Sequence, residues 1–373
     1  MQNTGHRFTI EFYTETGNGL GQLALDADFT PAFEWTRLAG IRQGQLSPGE
    51  YDRPATILPL WHPRLSQPYL AGFRVQIHSN GSAGFSFDFS NAYFKHFAAE
   101  AAQLFINAGK LRTGDQFCYV LAAFPKNPDT GSREPGKFII EDVTNTIPFR
   151  EGIIADLVSS SKIQGSQNPE QPPIFIPSRV LSEIAVLARE AEQSETGGFL
   201  IGHLCRDQAS EEIFAEITVQ IPATHAIGEL AKLSFTPETW TAARDAIALR
   251  HREEMLLGWW HSHPVDHWKC KNCPEEQRRN CSVSQGFFSE QDRLVHRSVF
   301  SRAWSMALVV SELGGNDASI SMFGWNRGMI EQRGYYLMNA DFESQSLLDL
   351  PPGETGNAVA AAHPVADDKG ESK

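Results

Sequence analysis

The sequence has little positive charge and no long apolar run, and each shortage excludes a class of protein. Its 32 lysine and arginine residues are outnumbered by 45 acidic residues, which gives a net charge of −13. Generic binding to DNA or RNA needs clustered lysine and arginine, so we expect no nucleic-acid partner. No apolar run approaches the roughly 18 residues of a membrane span, and the sequence opens without the apolar segment of a signal peptide. We therefore expect a cytoplasmic protein with no membrane contact.

Cysteine is also scarce, with five residues, and three of them fall in one short window. An odd number clustered in this way fits metal binding in a reducing compartment better than a secreted disulfide framework. The window reads His267-x2-Cys270-x2-Cys273-x7-Cys281, a spacing typical of a closed, structural zinc site. Asp266, or a residue outside the window, is the alternative to His267 as a ligand. A redox-active cysteine pair and inert free thiols are the alternatives to zinc.

The chain is long enough, at 373 residues, for two domains with separate cores. Residues 1–150 combine segments in which apolar residues alternate, as in strands, with segments in which they have helical spacing, and so predict an α+β domain. Cys118 is predicted to be a small buried residue of a central strand in this domain. Residues 151–172 are rich in Ser, Gln, Asn and Pro and predict a linker. Residues 173–340 predict an α/β domain with a mixed sheet flanked by helices. Residues 350–373 are predicted to be disordered.

Two histidines and an aspartate in the second domain have the spacing of a metal site. His261 and His263 end a predicted strand, in which side chains at i and i+2 point the same way. Ser289 and Asp292 lie at the start of a predicted helix and share one face of it, where Ser289 is also suited to cap the helix. Two imidazoles and one carboxylate suffice for a catalytic zinc, which keeps its fourth position for water. Glu195 adds a carboxylate before a Gly-Gly pair.

These pieces resemble, in order, the signature of the JAB/JAMM zinc metalloproteases: a glutamate before Thr-Gly-Gly, then His-Ser-His-Pro, then Ser-x-x-Asp. The resemblance covers roughly residues 172–340 and implies a cytidine-deaminase-like α/β fold. It departs from the family at residues 264–288, where the family has a much shorter connection. We interpret this departure as a loop expansion beside the site, with a cysteine-rich insertion at 265–286.

The resemblance also implies a role for each site residue. His261, His263 and Asp292 would hold a catalytic zinc ion that activates a water molecule. Glu195 would act as the general base on that water and then pass the proton to the leaving amine. Ser289 would donate a hydrogen bond to the oxyanion.

Family members typically cleave the bond after the C-terminal Gly-Gly of ubiquitin or a ubiquitin-like protein. The flanking sequences look like those of prokaryotic JAB proteins, which implies a deubiquitinase-like isopeptidase of a bacterial ubiquitin-like conjugation system, a group that includes antiviral systems. The expected partners are a ubiquitin-like protein or its conjugates, with E1-like and E2-like proteins. Its Gly-Gly tail is expected to pair with a sheet edge near residues 223–234, and residues 1–150 to recognise the modifier, the target or a second copy of the chain.

Three alternatives remain at this point. A JAB peptidase that trims a sulfur-carrier precursor would use the same chemistry. A non-catalytic JAB scaffold is disfavoured by the complete ligand set. A zinc-knuckle nucleic-acid binder built on the insertion is disfavoured by the acidic net charge.

Overall fold

The computed structural model describes most of the chain outside the cysteine-rich insertion and the C-terminal tail. The described residues are 3–65, 67–79, 82–126, 147–191, 194–224, 227–229, 232–263, 287–311 and 319–339. The predicted ligands His267, Cys270, Cys273 and Cys281 and the predicted disordered tail at 350–373 lie outside them, so these predictions stay predictions.

The N-terminal half is an α+β region with small sheets, as predicted. Its elements are β1 (Asn3–Thr4), β2 (His6–Thr14), β3 (Gly19–Leu25), α1 (Thr30–Arg42), β4 (Ala55–Trp61), β5 (Leu70–Ser79), β6 (Ser82–Ser90), α2 (Lys95–Asn107) and β7 (Phe117–Pro125). The described strands form two sheets, in the orders β1-β4-β5-β6 and β3-β2-β7. Strand β2 buries Phe8, Ile10 and Phe12 on one face, as a period of two requires.

Strand β7 differs from the prediction in its position and in the exposure of its cysteine. The prediction of a central strand with a buried Cys118 was wrong, because β7 is an outer strand of its three-stranded sheet and Cys118 is exposed. The apolar run that suggested a central strand is buried at Leu121, Ala122 and Ala123, beyond the cysteine.

The C-terminal half is built on one mixed sheet flanked by helices, which confirms the predicted fold class. Its elements are β8 (Phe149–Gly152), α3 (Ile154–Ser159), β9 (Ser161–Gln164), β10 (Ile174–Pro177), α4 (Ser178–Glu190), β11 (Gly197–Asp207), β12 (Ile213–Pro222), β13 (Ile227–Glu229), β14 (Lys232–Ser234), α5 (Pro237–Arg250), β15 (Met255–Ser262), α6 (Glu290–Val299), β16 (Met306–Ser311), β17 (Ser319–Asn326), β18 (Met329–Arg333) and β19 (Tyr335–Met338). The sheet order is β18-β17-β16-β15-β11-β12-β10-β19-β9, and β8 pairs with part of β11. None of the described helices is both long and apolar enough to cross a membrane.

The segment predicted to be a linker, residues 151–172, carries secondary structure that joins this sheet. It contains the end of β8, which pairs with β11, together with α3 and β9, and β9 pairs with β19. Leu157 of α3 is buried in a small cluster with Phe175 and Phe214. The polar composition reflects the exposed side chains of an edge strand, whose backbone is nevertheless paired.

The two halves share one continuous core instead of the separate cores that the chain length allows. A single cluster of buried apolar residues runs through both halves. Arg42 of α1 forms an ion pair with Glu212, with 2.6 Å between Nε and Oε1. The ring of Tyr51 packs against Trp304 at 5.5 Å between centroids. The N-terminal half is therefore packed against the C-terminal half.

Strands β15 and β16 run parallel and approach closely at Gly258, which pairs with Met306. A Cβ atom added at Gly258 would lie 2.1 Å from the carbonyl oxygen of Met306. This is a backbone contact, so no side-chain rotation relieves it.

We predict that Gly258→Ala lowers the free energy of unfolding by about 1–3 kcal/mol, the usual cost of overpacking a close-packed interior. Urea unfolding followed by circular dichroism measures this cost. Gly49→Ala is the matched control, because a Cβ at Gly49 has no atom within 4 Å. Equal stability of the two variants would contradict the proposed tight contact.

Candidate metal centre

Strand β15 delivers both histidines to the same place. His261 pairs with Gly197 of β11 on one side and with Val309 of β16 on the other. The backbone N–H of His263 donates to the carbonyl of Val310 at 2.8 Å, which extends the pairing past the end of the strand. The alternation of a strand places the two imidazoles on one face and Ser262 on the other.

The end of β15 is also hydrogen-bonded to the segment before β11. The backbone N–H of Ser262 donates to the carbonyl of Thr196 at 2.8 Å. The backbone N–H of Thr196 donates to the hydroxyl of Ser262 at 3.1 Å. These two bonds hold Glu195, the next residue upstream, beside the histidines.

Helix α6 delivers Asp292 through a capping box, which confirms Ser289 as the N-cap. The backbone N–H of Asp292 donates to the Ser289 hydroxyl at 3.1 Å, and the backbone N–H of Ser289 donates to Oδ2 of Asp292 at 2.7 Å. The cap satisfies N–H groups that a helix start leaves without partners. It also fixes the Asp292 carboxylate in one orientation.

Two imidazole nitrogens and one carboxylate converge in this interior site. Nε2 of His261 lies 3.1 Å from Nε2 of His263 and 3.3 Å from Oδ1 of Asp292. One ligand atom from each of the three residues lies within 4.8 Å of the others, and all three residues are buried. Among the residues that the structure describes, no other group of three or more His, Cys, Asp or Glu side chains has this arrangement.

The electrostatics of the three residues suit a cation. Burial, and to a smaller extent the neighbouring His261, lower the pKa of His263 to about 4 against the opposing effect of Asp292, so the His263 imidazole is neutral at pH 7. Burial favours the neutral form of Asp292, but His261 and the hydrogen bonds from His261 and Ser289 bring its pKa to about 2. Neutral imidazole nitrogens and an ionised carboxylate are the ligand types of zinc. The three side chains therefore fit a zinc ion.

Glu195 is buried beside this group, with 7% of its surface exposed. Burial raises its pKa to about 7, an effect that His261 opposes and Asp292 reinforces. The structure thus places the buried Glu195 carboxyl within the electrostatic influence of His261 and Asp292, and its role as the general base stays a prediction.

Two aromatic residues behind the ligands were not predicted. Trp259 stacks on His261 with 4.6 Å between ring centroids and 13° between planes. The indole N–H of Trp259 donates to Nδ1 of His296 at 3.2 Å. The spacing in the sequence could have indicated both residues. Trp259 is two residues before His261 and so shares its face of β15, and His296 is four residues after Asp292 and so shares its face of α6.

The predicted substrate edge at residues 223–234 contains a separate two-stranded hairpin, β13–β14. It follows β12, whose last residue Pro222 pairs with Gly198. The backbone N–H of Ala223 donates to the carbonyl of Gly197 at 2.9 Å, so the segment after β12 leaves the sheet at the same end as His261.

The family comparison agrees with this site. Residues 177–267 match the model of the family described as prokaryotic homologs of the JAB domain. The chain thus contains a prokaryotic JAB domain, and the match spans Glu195, His261 and His263. It ends before Ser289 and Asp292, which the fold brings to the other two pieces.

Among solved structures, the chain is similar to the solution structure of protein DSY2949 from Desulfitobacterium hafniense. The sequence identity is 17% and the TM-score is 0.28, with 43% of this chain and 89% of that chain covered. No curated protein matches the chain.

We predict that zinc raises the melting temperature of this protein and that His263→Ala abolishes most of this rise. A ligand that binds only the folded state at 1,000 times its Kd stabilises it by about 4 kcal/mol. Differential scanning calorimetry with and without zinc measures the effect. His78→Ala, at a histidine of β5 far along the chain from the site, is the control and keeps the full rise. An equal rise in both variants would place the bound zinc elsewhere.

Proposed function

We propose that this chain is a zinc-dependent peptidase or isopeptidase that cleaves after the C-terminal glycine of a ubiquitin-like protein. The observation that carries the proposal is the buried group of His261, His263 and Asp292 with Glu195 beside it. The match of residues 177–267 to prokaryotic JAB domains supports a proteolytic role for that group.

In the proposed reaction His261, His263 and Asp292 hold the zinc ion. When bound, zinc supplies Lewis acidity, which lowers the pKa of water to about 7 and polarises a carbonyl group. Glu195 accepts the proton of the attacking water and donates it to the leaving amine. A carboxyl with a pKa near the working pH suits both transfers, since it gains and loses a proton at little cost.

Ser289 is proposed to stabilise the oxyanion. Its hydroxyl oxygen already accepts the backbone N–H of Asp292, so the orientation of the hydroxyl group is restricted. The same side chain hydrogen-bonds the Asp292 carboxylate, and its hydroxyl hydrogen is proposed to turn to the negative charge that develops on the substrate oxygen.

The proposed substrate end is an extended Gly-Gly tail that pairs as a strand with the β13–β14 hairpin. Ala223, which precedes the hairpin, bonds to Gly197, the partner of His261, so a tail that pairs in this region is proposed to lead toward the metal site. We place the enzyme in a bacterial ubiquitin-like conjugation system, with E1-like and E2-like partners, in the cytoplasm. The N-terminal half is proposed to recognise the modifier, its target or a second copy of the chain.

Two readings of the same site compete with this proposal. Trimming of a sulfur-carrier precursor needs the same residues and differs only in the protein that carries the tail. A non-catalytic scaffold would bind zinc without turnover. The buried carboxyl of Glu195 favours catalysis, because a scaffold gains nothing from a group whose burial is costly.

We predict that Glu195→Gln abolishes cleavage and leaves zinc binding intact. The amide removes the proton acceptor and keeps the size of the side chain. Cleavage of ubiquitin-like proteins fused through a C-terminal Gly-Gly to a reporter is followed by mass spectrometry, and zinc is measured on the same samples. Glu190→Gln, at the exposed end of α4, is the matched control with full activity. Turnover by Glu195→Gln would reject Glu195 as the base.

A second zinc ion is proposed at His267, Cys270, Cys273 and Cys281, where it would stabilise an insertion with little core of its own. We predict two zinc ions per chain by elemental mass spectrometry. His261→Ala and Cys270→Ser should each lose one. A single zinc lost only in His261→Ala would reject the cysteine site and keep the catalytic one.

A further inference from the structure

Among the residues that the structure describes, none gives the proposed ligand His261 the hydrogen bond that supports most metal-binding histidines. Its Nε2 faces His263 and Asp292, while its Nδ1 is buried and has no hydrogen-bond partner among the described residues. In metal sites the second ring nitrogen almost always donates to a carboxylate, a carbonyl or water, which fixes the orientation of the ring. Another contact must therefore hold the plane of His261.

Trp259 provides a flat surface against that ring. It lies two residues upstream on β15, is almost fully buried, and is nearly parallel to the imidazole, with 13° between planes. Strand alternation puts both rings on the same face of the sheet. A rotation of His261 about its Cβ–Cγ bond would push its edge into the indole.

His296 fixes the indole in turn. The Trp259 N–H donates to Nδ1 of His296 at 3.2 Å, and such a buried indole N–H usually requires an acceptor. His296 has no exposed surface and is enclosed by Phe288, Phe300 and Trp325, with ring centroids 5.2–6.0 Å away. Its position in α6 is one turn beyond Asp292.

The cost of burying His296 points to a role for its nitrogen. Burial lowers the pKa of His296 to about 3, so the ring is neutral. Because Nδ1 accepts a hydrogen bond, the proton is on Nε2, which has no partner among the described residues. A leucine in this apolar surrounding would avoid a buried, unsatisfied N–H group. What a leucine lacks is the acceptor for Trp259.

We propose that Trp259 and His296 are positioning residues that set the ring plane of His261 for metal binding, by a stack and one hydrogen bond. This inference rests on the metal site of the proposed function and needs no substrate. Through the Trp259–His296 bond, the strand that carries His261 is tied to the helix that carries Asp292. The histidine of the strand and the aspartate of the helix are thereby held in fixed relative positions.

The test is the affinity of the purified full-length protein for zinc, measured by competition with a chromophoric chelator. We expect His296→Leu to weaken binding 10- to 100-fold, the usual effect of removing a supporting residue around a metal ligand. His296→Asn places an amide oxygen near the position of Nδ1 and should recover most of the affinity. The measurements are made in the Cys270→Ser background, which removes the proposed cysteine site, so that the affinity measured is that of the histidine site.

A double mutant separates positioning from general stability. Trp259→Phe keeps an aromatic face against His261 but has no N–H to satisfy. In that background His296→Leu should cause no further loss of zinc affinity, so the two effects are not additive. Additive losses would overturn the proposal, since they would mean that His296 acts without Trp259.

The free energy of unfolding of each metal-free variant is the control measurement. Trp35→Leu, which truncates a buried tryptophan of α1, should lower stability and leave zinc affinity unchanged. Unchanged zinc affinity in His296→Leu, or equal losses in His296→Leu and His296→Asn, would overturn the proposal. If the wild-type protein binds no zinc at His261, both this inference and the proposed function fail. If it binds zinc normally but cleaves nothing, only the proposed function fails.

Discussion

The register between β11 and β15 is the constraint on which the site depends. Gly197 pairs with His261, and the Thr196–Ser262 bonds continue the alignment past the ends of both strands. A shift of one residue would turn the side chain of His261 to the opposite face of the sheet. Gly198 is closely packed on both sides, because a Cβ atom there would lie 2.6 Å from Nε1 of Trp260 on β15 and 2.4 Å from the carbonyl oxygen of Ile221 on β12. Ligand geometry is thus a consequence of sheet packing.

Helix α6 is held from two sides, which relates the N-terminal half to the site. On one side Trp259 of β15 binds His296, and on the other the guanidinium of Arg297 lies 4.8 Å from the ring centroid of Phe97 in α2. A small cavity between α2 and α6 is lined by His96 and Arg293, among others. The N-terminal half therefore contacts the helix that carries Asp292 directly. The packing of the N-terminal half and the position of the Asp292 carboxylate are therefore linked through α6.

The sequence predicts the features of this site that depend on local geometry and misses those that depend on tertiary contact. The strand alternation of His261 and His263 and the helix start at Ser289 follow from spacing alone, and both were found. The approach of Glu195 came from a family resemblance, because nothing local to residue 195 indicates which strand it meets. The bond between Trp259 and His296 joins distant segments and was missed. The linker prediction for residues 151–172 failed because composition reports the exposure of side chains and not the pairing of the backbone.

The carboxylate of Asp292 both completes the capping box at the start of α6 and faces the two histidines. Its Oδ2 accepts the backbone N–H of Ser289, and its Oδ1 faces His261. Fraying of the first helical turn, which is the commonest local opening of a helix, would move the carboxylate away from both histidines. Unwinding of this turn would therefore remove one of the three candidate ligands from a bound ion. The stability of a single helical turn would then be one determinant of how long a metal ion stays in the protein.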